Sequence, residues 1–266
     1  MKKKREIRKI ALGLAVILTL LQIMPSSKMG STEHVKAAGN PQDVSTIIAS
    51  GAAVTVDPAL VMSGVTATEI TKYSITYQWS AVPNATSYYV YKFNVLTGGY
   101  EYYTATSGTA IQVTDLPAGE ECYMAVYAVN DIVNVRSEAV VTGSVYTKPE
   151  KVIGFTISDN TSTSVVLRWA DLPSASGYII YRAGTGGNFK KIGTCEMATY
   201  KDTTLSAGKT YQYKIVAYAG TVANVGEESP AIFTCSLPTA PTLVVKGGNN
   251  RVRLTWSAVT GAMGYK

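Results

Sequence analysis

SVVLRWADLPSASGYIIY, Ser164 to Tyr181, occurs in this chain three times in recognisable form. YSITYQWSAVPNATSYYVY (Tyr73 to Tyr91) precedes it and RVRLTWSAVTGAMGYK (Arg251 to Lys266) follows it, and the stretches align without a gap. Trp79, Trp169 and Trp256, the only tryptophans, superpose at spacings of 90 and 87 residues. Ala85, Ala175 and Ala262 align too, as do Tyr88, Tyr178 and Tyr265. Self-similarity at a fixed period is the mark of a repeat architecture, so each period is read as one structural unit.

A second block has the same period. LPAGEECYMAVYAV from Leu116 matches LSAGKTYQYKIVAY from Leu205, 89 residues later. Within a unit the apolar residues alternate: Val165, Leu167 and Trp169 fall on one face and Val166 and Arg168 on the other, the period of a half-buried strand. Gly98-Gly99 and Gly186-Gly187 read as hairpin turns, and Pro58, Pro149, Pro238 and Pro241 mark unit borders. Short alternating strands with frequent turn signals predict an all-β chain of tandem antiparallel sandwiches. Trp79, Trp169, Trp256, Leu116, Leu205 and Tyr211 are the expected core markers.

These residues resemble fibronectin type III repeats of the bacterial exported type. The resemblance rests on the tryptophan ending the second strand, the Ala175, Tyr178, Tyr181 lead into the third, and the Leu205, Gly208, Tyr211 corner before the sixth. It implies immunoglobulin-like sandwiches over residues 58–147 and 148–236, with 38–57 a linker or an extra strand. A third repeat begins at residue 237 and spans 237–266, too short to close a sandwich of about seven strands, so a truncated domain or a fragment of a longer protein is expected. The first unit has Cys122 at the corner position in place of tyrosine, which predicts a weaker first domain. The family's integrin-binding Arg-Gly-Asp loop has no counterpart in NDIVNVRSE (Asn130 to Glu138) or AGTVANVGEES (Ala219 to Ser229).

The net charge of +6 is misleading. Residues 1–37 hold eight of the 24 Lys and Arg but two of the 18 Asp and Glu, so the remainder balances at sixteen of each sign. A neutral body gives no support for a nucleic-acid partner. KKKREIRK followed by an apolar run of 14 residues, Ile10 to Ile23, reads as a secretory signal peptide over residues 1–37, with Val35 and Ala37 suited to a cleavage site before Ala38. The alternative is an uncleaved helix anchoring the chain, which would be its only membrane contact. Either reading places the remainder at the cell surface or in secreted form.

The one histidine, His34, lies in that leader, so the mature chain would lack histidine-based nucleophile, zinc and acid-base chemistry. No catalytic, cofactor-binding or metal-ligating residue is assigned. Cys122, Cys195 and Cys235 are an odd number for an exported chain. Cys195 and Cys235 share a repeat, and whether they pair is left to strand geometry. Gly184 to Gly187 lacks the Gly-Lys-Ser/Thr of a phosphate loop. Glu120-Glu121 and Glu227-Glu228 are adjacent pairs, whose side chains diverge on a strand.

Tyrosine stands out, with 18 residues against four phenylalanines, densest in Gly99-Tyr-Glu-Tyr-Tyr103. Strand alternation puts Tyr100 and Tyr102 on one face and Tyr103 on the other. An exposed set could stack on sugar rings or on a protein partner at low ordering cost, so an extracellular protein or a glycan is the expected partner class. The function expected is that of a non-enzymatic spacer or adhesion protein. The alternative is the accessory N-terminal region of a longer secreted polysaccharide-acting enzyme or glycan-binding protein.

Overall fold

A computed structural model describes residues 55–266, all of them strands, turns and loops with no helix. The signal-peptide reading of residues 1–37, His34 and most of the 38–57 segment fall outside the described residues. The chain divides after Lys148 into two compact units.

In the first unit β1 (Thr55–Val56), β2 (Val65–Ile70), β3 (Ile75–Trp79), β4 (Ser87–Asn94), β5 (Gly99–Thr106) and β6 (Ala110–Val113) are followed by β7 (Glu121–Cys122), β8 (Met124–Asn130), β9 (Val135–Arg136), β10 (Val140–Val141) and β11 (Val145–Tyr146). One sheet is β2-β3-β6. The other runs β1-β9-β8-β4-β5, with β10 also on β8 and β11 paired to β7. β1 adds to β9 in parallel, Thr55 opposite Val135. The second unit repeats the plan with β12 (Thr156–Ser158), β13 (Val165–Arg168), β14 (Gly177–Ala183), β15 (Lys190–Cys195), β16 (Thr199–Asp202), β17 (Thr210–Tyr218) and β18 (Ile232–Cys235). Its sheets are β12-β13-β16 and β15-β14-β17-β18. Three strands facing four, with the chain changing sheet from β13 to β14, from β15 to β16 and from β16 to β17, is the fibronectin type III-like sandwich. β19 (Leu243–Gly248) and β20 (Arg251–Trp256) form a separate hairpin.

The alternation read from the sequence is what fills the cores. Ile75, Tyr77 and Trp79 point inward from β3 against Tyr88, Val90, Met124 and Val126 of the opposing sheet. Val165, Leu167 and Trp169 meet Tyr178, Ile180, Tyr213 and Ile215 in the same way. Leu116 and Leu205 are buried at the corners, and Tyr211 packs half-buried against the second core.

The recurring motif is a local lock. The backbone N–H three residues after each tryptophan, at Val82, Leu172 and Val259, donates to the hydroxyl of Tyr88, Tyr178 and Tyr265 at 2.8, 2.8 and 2.7 Å. The carbonyl of that same residue accepts from the repeat's alanine, closing the turn. Each tyrosine ring lies 5.0–5.4 Å from its tryptophan. One element of the expected core departs from this. Trp79 and Trp169 are 5% and 7% exposed, but Trp256 is 45% exposed, because among the described residues no second sheet covers the β19–β20 hairpin. The motif is therefore complete locally in the third repeat while its burial is not.

At the corner before β17 the N–H of Ser206 donates to the Tyr211 hydroxyl at 2.8 Å. Gly208 and its counterpart Gly119 both adopt positive φ, 64° and 67°, the left-handed region where glycine is favoured. The first unit has Cys122 where Tyr211 stands and so lacks that bond, yet it keeps a second lock. Thr147 donates to the Pro117 carbonyl at 2.6 Å and accepts from the Glu120 N–H, as Ser236 does with Ser206 and Lys209. The difference at the two corners is thus one hydrogen bond rather than a missing corner.

The two cores obtain their buried tyrosine from opposite sheets. Tyr77 on β3 occupies the position of Leu167, and Met124 on β8 that of Tyr213. Tyr213 donates to Asp202 at 2.8 Å, whereas the fully buried Tyr77 hydroxyl has no oxygen or nitrogen partner and only the weakly bonding Cys122 thiol beside it. Burial, with the Cys122 thiol adding to it, pushes Tyr77 ionisation far above the ordinary tyrosine range. Removing an orphaned buried hydroxyl recovers its desolvation cost, so Tyr77→Phe should leave stability unchanged or raise it by up to about 1 kcal/mol. Tyr213→Phe should cost about 1.5–3 kcal/mol, because a hydrogen bond to a charged acceptor is lost. Chemical denaturation of the two variants, followed by amide exchange in each unit, checks the opposite signs.

Candidate functional site

The β4–β5 hairpin of the first unit gathers the aromatic residues that the core does not use. β4 presents Tyr88 and Val90 inward, which turns Tyr89, Tyr91 and Phe93 outward. Tyr127 on the neighbouring β8 shares that outer face. Tyr127 stacks on Tyr89 with ring centres 5.7 Å apart and planes 2° apart, and on Tyr91 at 5.6 Å. The Tyr91 and Tyr127 hydroxyls are 3.1 Å apart, and the Arg136 guanidinium lies 5.3 Å over the Tyr127 ring. Burial first, then the hydrogen bond with Tyr91, raises Tyr127 ionisation well above its ordinary value. Tyr91, Phe93 and Tyr127 are themselves buried, a second apolar cluster that backs the exposed hairpin edge.

The register of β5 against β4 contains a bulge. Tyr91 pairs with Tyr102 and Val90 with Thr104, so Tyr103 is the extra residue. Strict alternation would send Tyr102 and Tyr103 to opposite faces, but a bulge re-aims the side chain at the insertion. Both tyrosines accordingly line one open cleft of about 380 Å³. Tyr102 is 53% exposed and leans on Tyr91 and Tyr89, at 5.7 and 6.1 Å. Tyr103 is exposed as well. Tyr100, expected on the surface with Tyr102, is instead 5% exposed and packs edge-on against Phe93 at 5.3 Å. Its pairing with the end of β4 next to Tyr123 encloses it, so Tyr100 leaves the candidate patch.

Polar groups complete the rim. Glu101 accepts from Asn94 Nδ2 at 2.8 Å and from Thr97 Oγ1 at 3.2 Å, which fixes its carboxylate beside the hairpin tip. Lys92, Glu120 and Glu121 line the same cleft. The Tyr123 hydroxyl donates to Glu121 at 2.8 Å.

The other polar features are structural. Glu228 pairs with Lys214 at 2.9 Å and Glu227 with Lys151 at 3.8 Å, on solvated strand edges. Among the described residues no three His, Cys, Asp or Glu converge as metal ligands would. Cys122, Cys195 and Cys235 are not joined in a disulfide. Cys195 and Cys235 lie on β15 and β18, the opposite edges of one four-stranded sheet, so they cannot pair within this chain. Burial raises the Cys122 thiol and keeps it protonated.

The sequence reading missed a buried polar cluster in the second unit. Asp202, 3% exposed at the end of β16, accepts from Arg182 Nη1 at 2.7 Å and from the Tyr213 hydroxyl on Oδ2, and from the Thr204 N–H and hydroxyl on Oδ1. Arg182 belongs to β14, so this pair ties the two sheets of the sandwich together. Val113 stands at the equivalent position of the first unit, which therefore has no such tie.

No protein-family model matches the chain. Poly(3-hydroxybutyrate) depolymerase of Ralstonia pickettii is 36% identical over 93 residues, 33% of this chain and 18% of the enzyme. A Kelch domain-containing protein of Saccharolobus solfataricus is 30% identical over 199 residues, 73% of this chain and 26% of that protein. The chain thus spans about a fifth to a quarter of the length of these curated relatives. Among solved structures, a segment of two fibronectin type III domains from chicken tenascin is 18% identical with a TM-score of 0.39, covering 65% of this chain and 97% of that one.

Proposed function

We propose that this fibronectin type III-like tandem is a non-catalytic part of an exported protein, in which the sandwiches serve as spacer and adhesion modules at the cell surface or in secreted form. The observation that supports it best is how the repeated framework spends its chemistry. The Trp–Tyr lock recurs in all three repeats, and the buried Asp202 carboxylate, with four hydrogen bonds, joins two sheets inside a core. Such a unit supplies rigid length and a surface on which binding residues can vary. The purified chain should release no soluble product from polysaccharide or polyester substrates, and in its native cell it should fractionate with the envelope or the medium. Hydrolysis by the purified chain, or a cytosolic location, would overturn the proposal.

A second reading is favoured by one observation, the 93-residue similarity to a depolymerase, a length close to one repeat. On that reading the sandwiches are accessory modules joined to a polymer-acting enzyme. An immunoblot of the native product separates the two, since a catalytic domain in the same polypeptide would make it markedly larger than this chain.

A further inference from the structure

We propose that the cleft formed by Tyr102 and Tyr103 on the first unit binds an uncharged polysaccharide, with the two tyrosine rings as its stacking surface. The inference deepens the adhesive reading above by naming a ligand class. It can fail while that reading stands, because an adhesion module without this ligand would still be non-catalytic and exported.

The two sandwiches contain the same β-bulge at the same place and use it differently. In the second unit Tyr181 pairs with Lys191 and Ile180 with Gly193, leaving Ile192 as the extra residue. In the first unit those two positions are Tyr102 and Tyr103. The bulge therefore belongs to the scaffold, and the aromatic pair at it is particular to the first unit. Folding does not require aromatic residues there, since the second unit has an exposed Lys191 and a half-buried Ile192 at those positions. Tyr102 and Tyr103 nonetheless remain exposed at the edge of the sheet, where the ring surface they leave in water adds nothing to the core.

The cleft fits sugar chemistry in shape, preorganisation and charge. At about 380 Å³ it is at the small end of ligand-sized pockets, large enough for one or two pyranose rings and too small for a protein interface of standard size. Tyr102 is braced from behind by Tyr89 and Tyr91, and Tyr91 is itself held by Tyr127, so little ordering cost remains on binding. A pyranose presents an apolar C–H face to an aromatic ring and hydroxyls around its rim. Glu101, Asn94 and Glu120 offer acceptors and a donor to those hydroxyls. Three carboxylates, Glu101, Glu120 and Glu121, face one ammonium, Lys92, which disfavours a uronate or sulfated chain by like-charge repulsion.

The test uses the full chain in affinity electrophoresis and calorimetry against hydroxyethyl cellulose, laminarin and soluble xylan, with polygalacturonate as the anionic comparison. Retention by at least one neutral polymer is expected, with weaker or no retention by polygalacturonate. Tyr102→Ala and Tyr103→Ala should each weaken binding about tenfold, and the double variant should abolish it. Tyr102→Phe and Tyr103→Phe keep the ring and should keep binding, and Lys191→Ala at the equivalent bulge should change nothing. Near-UV circular dichroism establishes that each variant is folded. Absence of retention by all three neutral polymers, unchanged binding in the folded double alanine variant, or preference for polygalacturonate would overturn the proposal.

Discussion

Replacing Asp202 with alanine is expected to destabilise the second unit by about 3–5 kcal/mol, because it leaves a largely buried guanidinium without its partner. For a domain of this size that is a large part of the total stability. The carboxylate receives four hydrogen bonds, and two of its donors, Arg182 and Tyr213, come from the opposite sheet, so the loss is felt on both sides of the core. Asp202→Asn should be milder, since it keeps the shape and one acceptor oxygen while losing the charge. A replacement of Arg182 and Asp202 together by apolar residues should recover much of the loss, as is found for buried ion pairs exchanged as a unit. Denaturation followed by amide exchange in β13, β14 and β16 reads the effect where it arises. A loss below about 1 kcal/mol for Asp202→Ala would mean that water reaches the site and screens the pair.

The same residue sets a pH dependence with a definite sign. Burial alone would raise the Asp202 pKa, but the hydrogen bonds from Thr204, Tyr213 and Arg182 outweigh it and hold the carboxyl below its ordinary value. A carboxylate with a depressed folded-state pKa contributes stability that is fully present above the unfolded value near 4 and is lost as pH falls through the folded value. The second unit should therefore lose stability progressively below about pH 5. The first unit has Val113 in that position and lacks this contribution, so the two units should separate in their acid response, and Asp202→Asn should flatten the curve of the second.

What could be read beforehand and what could not divides along physical lines. Trp169, Ala175 and Tyr178 form contacts within ten residues of one another, so their spacing is a local signature, and repetition made it unmistakable. Leu205, Gly208 and Tyr211 likewise act within one turn. Asp202 and Arg182 are twenty residues apart on different sheets, and nothing local distinguishes them from solvated charges. The available signal was a comparison of repeats: Asp202 replaces Val113 at a position where alternation calls for an inward side chain. In the tyrosine patch, Tyr100 shares the face of Tyr102 as alternation implies but is covered by Phe93, a long-range contact with no local signal, and Tyr103 is placed by an irregularity. A bulge shifts the period of two by one residue, and Gly99-Tyr-Glu-Tyr-Tyr103 contains no glycine or proline at the shift to announce it. That shift falls between Tyr102 and Tyr103 and brings both to one cleft, both of them exposed.

Trp169→Ala and Trp256→Ala alter the same motif position and should have very unequal consequences. Trp169 fills the space between two sheets, in contact with Tyr178 at 5.0 Å and Phe155 at 6.3 Å. Its truncation should cost about 3–5 kcal/mol, from lost apolar burial and the cavity left behind. Its indole N–H makes no well-formed hydrogen bond, so most of the cost is packing. Trp256 touches Tyr265 at 5.4 Å in the same tilted manner, but close to half of its surface remains in water. Trp256→Ala should change the stability of the second core by less than about 1 kcal/mol, the range expected of substitutions outside a packed interior. Thermal unfolding monitored at β14 and β17 distinguishes these outcomes, since 3–5 kcal/mol corresponds to a shift of well over ten degrees for a domain of this length. Equal effects for the two variants would show that the lock itself, rather than its burial between sheets, stabilises the sandwich. The expected inequality assigns the tryptophan two separable roles: it shapes the turn wherever the motif occurs, and it stabilises the domain only where a second sheet closes over it.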